Sequence, residues 1–396
     1  MLKNQLDLVP ISEAMELLDV SRSTIDRWRK SKQLPSVKIG KEIYFDKHEM
    51  LHWYKEFSKM RHSASDEDAD EVLTIGYTTV AAHMWSPLVI QEFGLLEDEL
   101  RRVRPNERIQ IKWHKAKDGM ELVKELVSGN IQLATLGDYA LSVSHMISRL
   151  LPDFRPILLA AGGKSTNGDG FGLVVPPTWT FHSLSELATL PIATTFRTNA
   201  EYRLRKLLEK HSLPELNIIH RSIEESITSL RQGRLSASIM WEPFLSLVQH
   251  RKLGKPIFHK ELGLGFLAGV VADGGWAQEH EDLAIAYMKA HLLASRMIRE
   301  QPLRAAKAVA KEIGFPAEVT SLALSRIRWD AALYENDLKV FDYFGPSDVR
   351  DGAASPLIDT KIQYNIRYLR IAAQELKLPA LPPSPIAGSW QEEIHY

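Results

Sequence analysis

The chain has 396 residues, and at roughly 100–200 residues per domain that length predicts two to three units. Its 44% hydrophobic and 25% charged residues exclude a wholly disordered or fibrous polypeptide, and its lack of cysteine excludes disulfides, thiolate metal sites and cysteine nucleophiles together. A net charge of −1 excludes a molecule that is basic all over, but not a local basic patch. No stretch approaches the about 18 consecutive apolar residues of a membrane helix. The start, MLKNQLDLVPISEAM, lacks the apolar core of a secretory signal, so the expected location is cytoplasmic, with no membrane partner.

Residues 1–60 have a compact helical pattern. Ser12 can cap a short helix whose apolar face carries Ala14, Leu17 and Leu18. Ser21 can cap a second helix ending near Ser31, with Ile25 and Trp28 inward and Arg22, Ser23, Arg27 and Lys30 outward. Pro35 stops it; VKIGKEIYF then alternates as a hairpin bending at Gly40, and Lys47 to Phe57 forms a third helix. Two helices, a turn and a two-stranded wing predict a winged helix-turn-helix. Between Val20 and Lys41 seven bases (Arg22, Arg27, Arg29, Lys30, Lys32, Lys38 and Lys41) stand against one acid, Asp26. A chain neutral overall thus concentrates positive charge on one helix and its wing, as a phosphate-backbone footprint requires; a solvated basic face is the alternative.

This segment resembles the excisionase/MerR-like helix-turn-helix family over residues 8–57, through ISEAMELLDVSRSTIDRWRKSKQLPSVKIGKEIYFDKHEMLHWY. The resemblance implies that Arg22, Ser23, Thr24 and Arg27 read bases of double-stranded DNA, that Lys38 and Lys41 meet phosphates, and that the protein is a homodimer or higher oligomer. Lys32 departs from the glycine the family usually has after its recognition helix. Residues 61–71, RHSASDEDADE, are small and acidic and are expected to be a linker, with a solvated helix end as the alternative.

From Val72 short apolar strands alternate with amphipathic helices, the pattern of an α/β domain. VLTIGY, IQLATLG, FGLVVP, PIATTF and SASIMW are predicted strands; MELVKELVSG, EYRLRKLLEKH, IEESITSLRQG and residues 280–300 are predicted helices. LVSGNIQLATLGD at 126–138 and LRQGRLSASIMWE at 230–242 share helix, glycine, strand and loop, with Gly129 matching Gly233, and suggest two similar lobes. Residues 376–396 are too rich in proline for a helix interior and are expected to be a tail.

With WEPF at 241–244, this part resembles the nitrate/sulfonate/taurine substrate-binding proteins of ABC importers, a group that includes the thiamin-pyrimidine-precursor proteins. The anchors are IGYTT at 75–79, ELVSGNIQLATLGD at 125–138, LATLPIATTFRTNAEYRLRKLLEK from Leu187 and SLRQGRLSASIMWEPF at 229–244. Gln132 and Ser236 stand where the family usually has aspartate. The resemblance implies a two-lobed clamshell of the type II periplasmic-binding-protein kind over residues 72–375. Lobe one would hold 72–170 and 272–375, and lobe two 178–262, with crossovers near 170–177 and 265–272.

Ligands of such α/β sheets bind where strands end and helices begin. That selects Gly76, Tyr77, Thr78, His83, Gly137 and Asp138 in lobe one, and Thr195, Arg197, Thr198, Asn199, Trp241 and Glu242 in lobe two. Arg197 at a helix start suits a carboxylate or sulfonate, although an ordinary N-cap beside a surface arginine gives the same text. Trp241 can stack on a flat ligand or fill the hinge core, and His83 can be a packing residue. His48-Glu49-Met50-Leu51-His52 fits a zincin motif by coincidence, on too small a domain. Gly162-Gly163-Lys164-Ser165 imitates a phosphate loop but has Leu158 where glycine is needed; its lysine is expected near the cleft mouth. No metal, cofactor or catalytic residue is expected. The combined expectation is a ligand-responsive one-component transcription regulator, sensing a small organic anion or zwitterion, sulfonate-like, or a flat heterocycle. The alternatives are a cytoplasmic delivery protein, and a precursor-making enzyme whose family pattern carries cysteines that this chain lacks.

Overall fold

A computed structural model of the chain describes residues 8–62 except 19, 32, 33 and 41, then 71–165, 169–180, 186–187, 190–211, 217–257, 262, 265–344 and 361–396. Lys32, Lys41 and most of the acidic 61–71 segment lie outside the described residues.

The first domain contains helices α1 (Ile11–Leu18), α2 (Arg22–Ser31) and α3 (Lys47–His62) and strands β1 (Leu8–Pro10), β2 (Val37–Ile39) and β3 (Glu42–Asp46). Helix α1 begins directly after β1, so Ser12 lies within the helix rather than capping it. Ser21 does cap α2, its hydroxyl accepting from the Thr24 amide at 3.2 Å. Gly40 turns the β2–β3 hairpin with a φ of 66°, which costs glycine little. Ile25 and Trp28 are buried as their spacing predicts, and Trp28 packs against Trp53 and Tyr54 with ring centroids 5.6 and 5.8 Å away. Strand β1 is the unannounced element; it pairs antiparallel with β3 and makes the order β1-β3-β2. The domain is a winged helix-turn-helix.

The rest of the chain forms two sheets. One contains β4 (Glu71–Tyr77), β5 (Ile109–Lys115), β6 (Leu133–Gly137), β7 (Pro156–Ser165), β13 (Phe266–Asp273) and β14 (Arg328–Trp329) in the order β14-β7-β13-β6-β4-β5. The other contains β8 (Phe171–Val175), β9 (Ile192–Thr194), β10 (Ile218–His220), β11 (Ala237–Trp241) and β12 (Lys255–Ile257) in the order β10-β9-β11-β8-β12. Strands β4, β5 and β6 are parallel, and β13 runs antiparallel between β6 and β7. Covered on both faces, β13 is a continuous apolar run, FLAGVVA, and all seven of those residues are buried.

The chain crosses between the sheets at 165–171 and returns at 257–266. Both crossings precede the expected spans, because 171–175 and 266–273 are themselves strands. The two text repeats have matching geometry. Gly129 and Gly233 adopt φ values of 70° and 66°, and the amides that follow, of Asn130 and Arg234, return to the carbonyls of Glu125 and Ser229 at 3.0 Å each. Gln132 Oε1 accepts from the Thr74 amide at 2.8 Å, and Ser236 Oγ accepts from the Leu190 amide at 3.0 Å. The residues that replace the family aspartates therefore tie adjacent strands together.

The Gly-Gly-Lys-Ser segment is also structural, which corrects the expected place of its lysine. Lys164 is buried, donates to the Ala332 carbonyl at 2.7 Å and to Asp337 at 2.9 Å, and lies 4.7 and 5.7 Å from the Tyr334 and Trp390 rings. Residues 376–396 pack on lobe one and end at buried Tyr396, whose hydroxyl donates to the Pro379 carbonyl at 3.0 Å.

Candidate functional site

On the first domain, α2 holds Ile25 and Trp28 inward, and its period of 3.6 turns Arg22, Ser23 and Arg27 outward, where all three are exposed. Lys38 is exposed on β2 in the wing. Thr24 is half-buried and its hydroxyl hydrogen-bonds Ser21 Oγ at 2.9 Å. Arg29 is tied down by Asp26 and Ser36, both at 3.1 Å. The exposed face of α2 thus has the chemistry of a nucleic-acid reader: bases and a hydroxyl on a helix braced from behind.

Between the lobes lies a cavity of about 790 Å³. Helix starts surround it: Asp118–Met120 and Gly137–Ala140 from one lobe, Thr195–Ala200 and Ser222–Glu224 from the other. Met84, Phe171, Trp241, Phe244 and Phe266 supply apolar walls, and Lys117, Lys124 and Arg197 supply positive charge.

Of the sequence-selected residues, His83, Gly137, Asp138, Thr195, Arg197, Thr198, Asn199 and Trp241 line this cavity. Gly76, Tyr77, Thr78 and Glu242 do not. A Cβ on Gly76 would stand 2.4 Å from Ile131 and 2.7 Å from Leu122, so this glycine serves helix–sheet packing. The Tyr77 hydroxyl points to Glu312 at 3.4 Å and its ring meets Trp113 edge-on. Thr78 is fully buried, with its hydroxyl 3.4 Å from the Val80 amide. Glu242 is buried and pairs with Arg326 at 2.6 Å, so its carboxylate is engaged away from the cavity.

The Thr195–Asn199 turn has an unusual backbone. Strand β9 stops at Thr194, and Arg197 takes a left-handed φ of 60°, a conformation that costs a non-glycine residue energy and recurs at functional sites. Thr198 is the N-cap, yet its hydroxyl donates backward to the Thr195 carbonyl at 2.6 Å rather than to the helix amides. Trp241 Nε1 donates to the Val80 carbonyl at 2.7 Å, so this ring both lines the cavity and links the lobes.

Deeper in, Asp138 accepts from the Asn199 side-chain amide, and Asn199 accepts from Arg203 Nε. Arg203 donates to the carbonyls of Leu262 at 3.0 Å and Gly265 at 2.6 Å, and its guanidinium sits 4.3 Å from the Phe171 ring. Burial pushes the Asp138 carboxyl up to about 6, against the pull of Arg203 and of the Asn199 and Tyr139 donors. Burial, helped by the nearby Arg203 charge, pushes His83 down to about 3, so this imidazole is neutral around pH 7. Its Nε2 lies 3.3 Å from Ser165 Oγ, and its ring packs 4.5 Å from Phe266. Sequence reasoning missed Arg203; the signal was its i+4 spacing from Asn199, which puts both on one helix face.

Residues 10–58 match the family model described as a helix-turn-helix domain. No curated protein sequence matches the chain. Among solved structures, the chain is similar to the alkanesulfonate-binding protein SsuA from Xanthomonas axonopodis pv. citri bound to MOPS, with 19% identity over 69% of this chain and 90% of that one and a TM-score of 0.54. It is similar to the periplasmic sulfonate-binding protein SsuA from Methylobacillus flagellatus KT, with 17% identity over 81% and 98% and a TM-score of 0.61. A third is the periplasmic nitrate-binding protein NrtA from Synechocystis PCC 6803, with 14% identity over 80% and 92% and a TM-score of 0.59. At these identities the likeness is one of fold: a helix-turn-helix domain joined to a periplasmic-binding-protein-like clamshell.

Proposed function

We propose that this protein is a ligand-responsive one-component transcription regulator. The observation that carries this reading is the union, in one chain, of an exposed basic helix face with a two-lobed cavity ringed by helix starts. The helix-turn-helix binds double-stranded DNA as part of a homodimer or higher oligomer, with Arg22, Ser23, Thr24 and Arg27 at the bases and Lys38 and Lys41 at phosphates. DNA as partner assigns its work to the cytoplasm; among the described residues no helix is long and apolar enough to cross a membrane. The cleft binds a small organic anion, held at the Arg197 turn and packed against Trp241 and the phenylalanines. The apolar walls favour an anion with a sizeable organic body, and the sulfonate-binding relatives in fold support a sulfonate head. The named relatives are binding proteins, and we read this chain as a binder rather than a catalyst.

A gel shift on DNA flanking the protein's own gene tests the regulator reading. Retardation at low salt that changes with ligand is expected; indifference to that DNA, with and without ligand, overturns it. A thermal-shift screen over sulfonates, carboxylates, nitrate and pyrimidines tests the ligand class, because a binder raises the melting temperature by an amount that grows with the logarithm of its concentration relative to its Kd. An Arg197→Ala protein with an undiminished response would refute the anion site.

A further inference from the structure

The DNA-binding domain touches the clamshell at the rim of the cavity. His48 Nδ1, at the start of α3, hydrogen-bonds the Leu150 carbonyl of lobe one. Tyr54, further along α3, is buried, with Lys124 Nζ 5.7 Å from its ring centroid. Lys124 belongs to the Gly119–Val127 helix, whose first turn forms part of the cavity wall, and Lys124 itself lines the cavity. Leu17, on α1, lines the cavity as well. The core residues Leu18 and Trp28 of the small domain and Leu122 and Val123 of the same lobe-one helix belong to one continuous apolar cluster. The outer face of α2 remains exposed in this arrangement.

These contacts have a physical consequence. Docking the small domain buries apolar surface against lobe one, and that burial stabilises the docked arrangement. A ligand that fills the cavity to its rim meets Leu17, and an anion there attracts Lys124, the ammonium that also lies over the Tyr54 ring. Docking and ligand binding therefore share Lys124, and docking places Leu17 at the cavity rim. Two equilibria that share contacts are coupled, and the coupling acts equally in both directions.

We propose that the DNA-binding domain forms part of the effector site: Leu17 supplies an apolar lip, and Lys124 is shared between the anion and Tyr54, so that the domain's seating on lobe one reports occupancy directly. This rests on the reading of the cleft as an effector site. It specifies the effector as an amphipathic anion, with an apolar end long enough to reach Leu17.

The test uses the full chain and anilinonaphthalene sulfonate, an aromatic sulfonate whose fluorescence rises in apolar sites. Trp241→Ala locates the dye: loss of binding places it in the cleft. Leu17→Gln, which alters only the other domain, is then expected to weaken the dye by about fivefold or more. Because the chain has no cysteine, His48→Cys with Leu150→Cys gives a protein whose only thiols flank the interface. A short bis-maleimide should join them, with a yield that changes when the dye is present. No cross-link, or a cross-link and an affinity both indifferent to the other partner, overturns the proposal while leaving the cleft reading intact. Dye binding that ignores Trp241→Ala, or no dye binding, overturns the cleft reading and this proposal with it.

Discussion

Asn199 donates its side-chain amide to the Asp138 carboxylate across the gap between the two lobes. Asp138 opens the helix after β6 in one sheet and Asn199 opens the helix after β9 in the other, so this one bond ties the lobes where two helix starts face each other. Arg203 adds the third member, and all three side chains are buried. Polar groups at such depth are tolerated when each has a partner, and removing one leaves the others to bear the desolvation cost.

The Asp138 carboxyl gives this tie a pH dependence. Burial pushes it up to about 6 from the 3.8 of an ordinary aspartate, so between those values the folded state holds a proton that the unfolded state has released. The carboxyl therefore stabilises the fold as pH falls toward about 4, and that stability is lost as pH rises through about 6. Asp138→Asn removes the titration. Urea melts of both proteins should show the wild type gaining on the variant as pH drops from neutral to about 4. A difference that stays flat across the window would mean that Asp138 is not buried between closed lobes.

Arg203 is expected to be the costliest polar residue of the cleft to remove. Its guanidinium holds Leu262 and Gly265, on the return crossing, together with Asn199. Arg203→Leu strands two carbonyls and leaves the Asp138 carboxylate without its nearby cation, at a cost of about 3–5 kcal/mol. Arg203→Lys should recover little, because an ammonium cannot span three acceptors with a planar fork or lie flat on Phe171. Thermal melts check both, and a lysine variant as stable as wild type would rule out the fork geometry as the source of that stability.

Much of this architecture was legible in the sequence because it rests on local chemistry. Ser21 caps α2 through its own hydroxyl, Gly40 and Gly129 turn the chain with a positive φ that glycine adopts readily, and the strand-end rule selected His83, Asp138 and Asn199, which line one cavity. The same rule selected Tyr77 and Glu242, which do not line that cavity, since strand twist and distant partners decide where a side chain at a strand end points. Glu312 and Trp113 claim Tyr77, and Arg326 claims Glu242. Phe171 and Phe266 were illegible for another reason: each lies in an apolar strand that reads as core, and only the crossings between the lobes turn both toward the cavity.

His83 should titrate with the sign opposite to that of Asp138. Burial and the neighbouring Arg203 push it down to about 3 from the 6.5 of an ordinary histidine, so within that window the unfolded chain binds a proton that the folded one refuses. Its contribution is present above about 6.5 and is lost as pH falls toward about 3. His83→Gln, which keeps a hydrogen-bonding group near Ser165, should make the protein less sensitive to mild acid. Melting temperatures over that range, compared with wild type, check it; parallel curves would show that His83 is accessible to protons in the folded state.

Arg27 and Lys38 should separate base reading from backbone contact. Arg27 is exposed on α2 and Lys38 on the wing strand β2; in the proposed DNA complex the first enters a groove and the second meets phosphate. Arg27→Ala is expected to cost about 1–3 kcal/mol on the specific site and to relax preference at one base pair. Lys38→Ala should weaken all sequences alike and lower the slope of log affinity against log salt by about one. Fluorescence anisotropy on the operator and a scrambled duplex, at several salt concentrations, distinguishes the two. Equal losses on both duplexes for Arg27→Ala would move that side chain from the bases to the phosphates. Trp28→Ala is the control for folding, because emptying its place against Trp53 and Tyr54 should cost about 3–5 kcal/mol and abolish binding by melting the domain rather than by removing a contact.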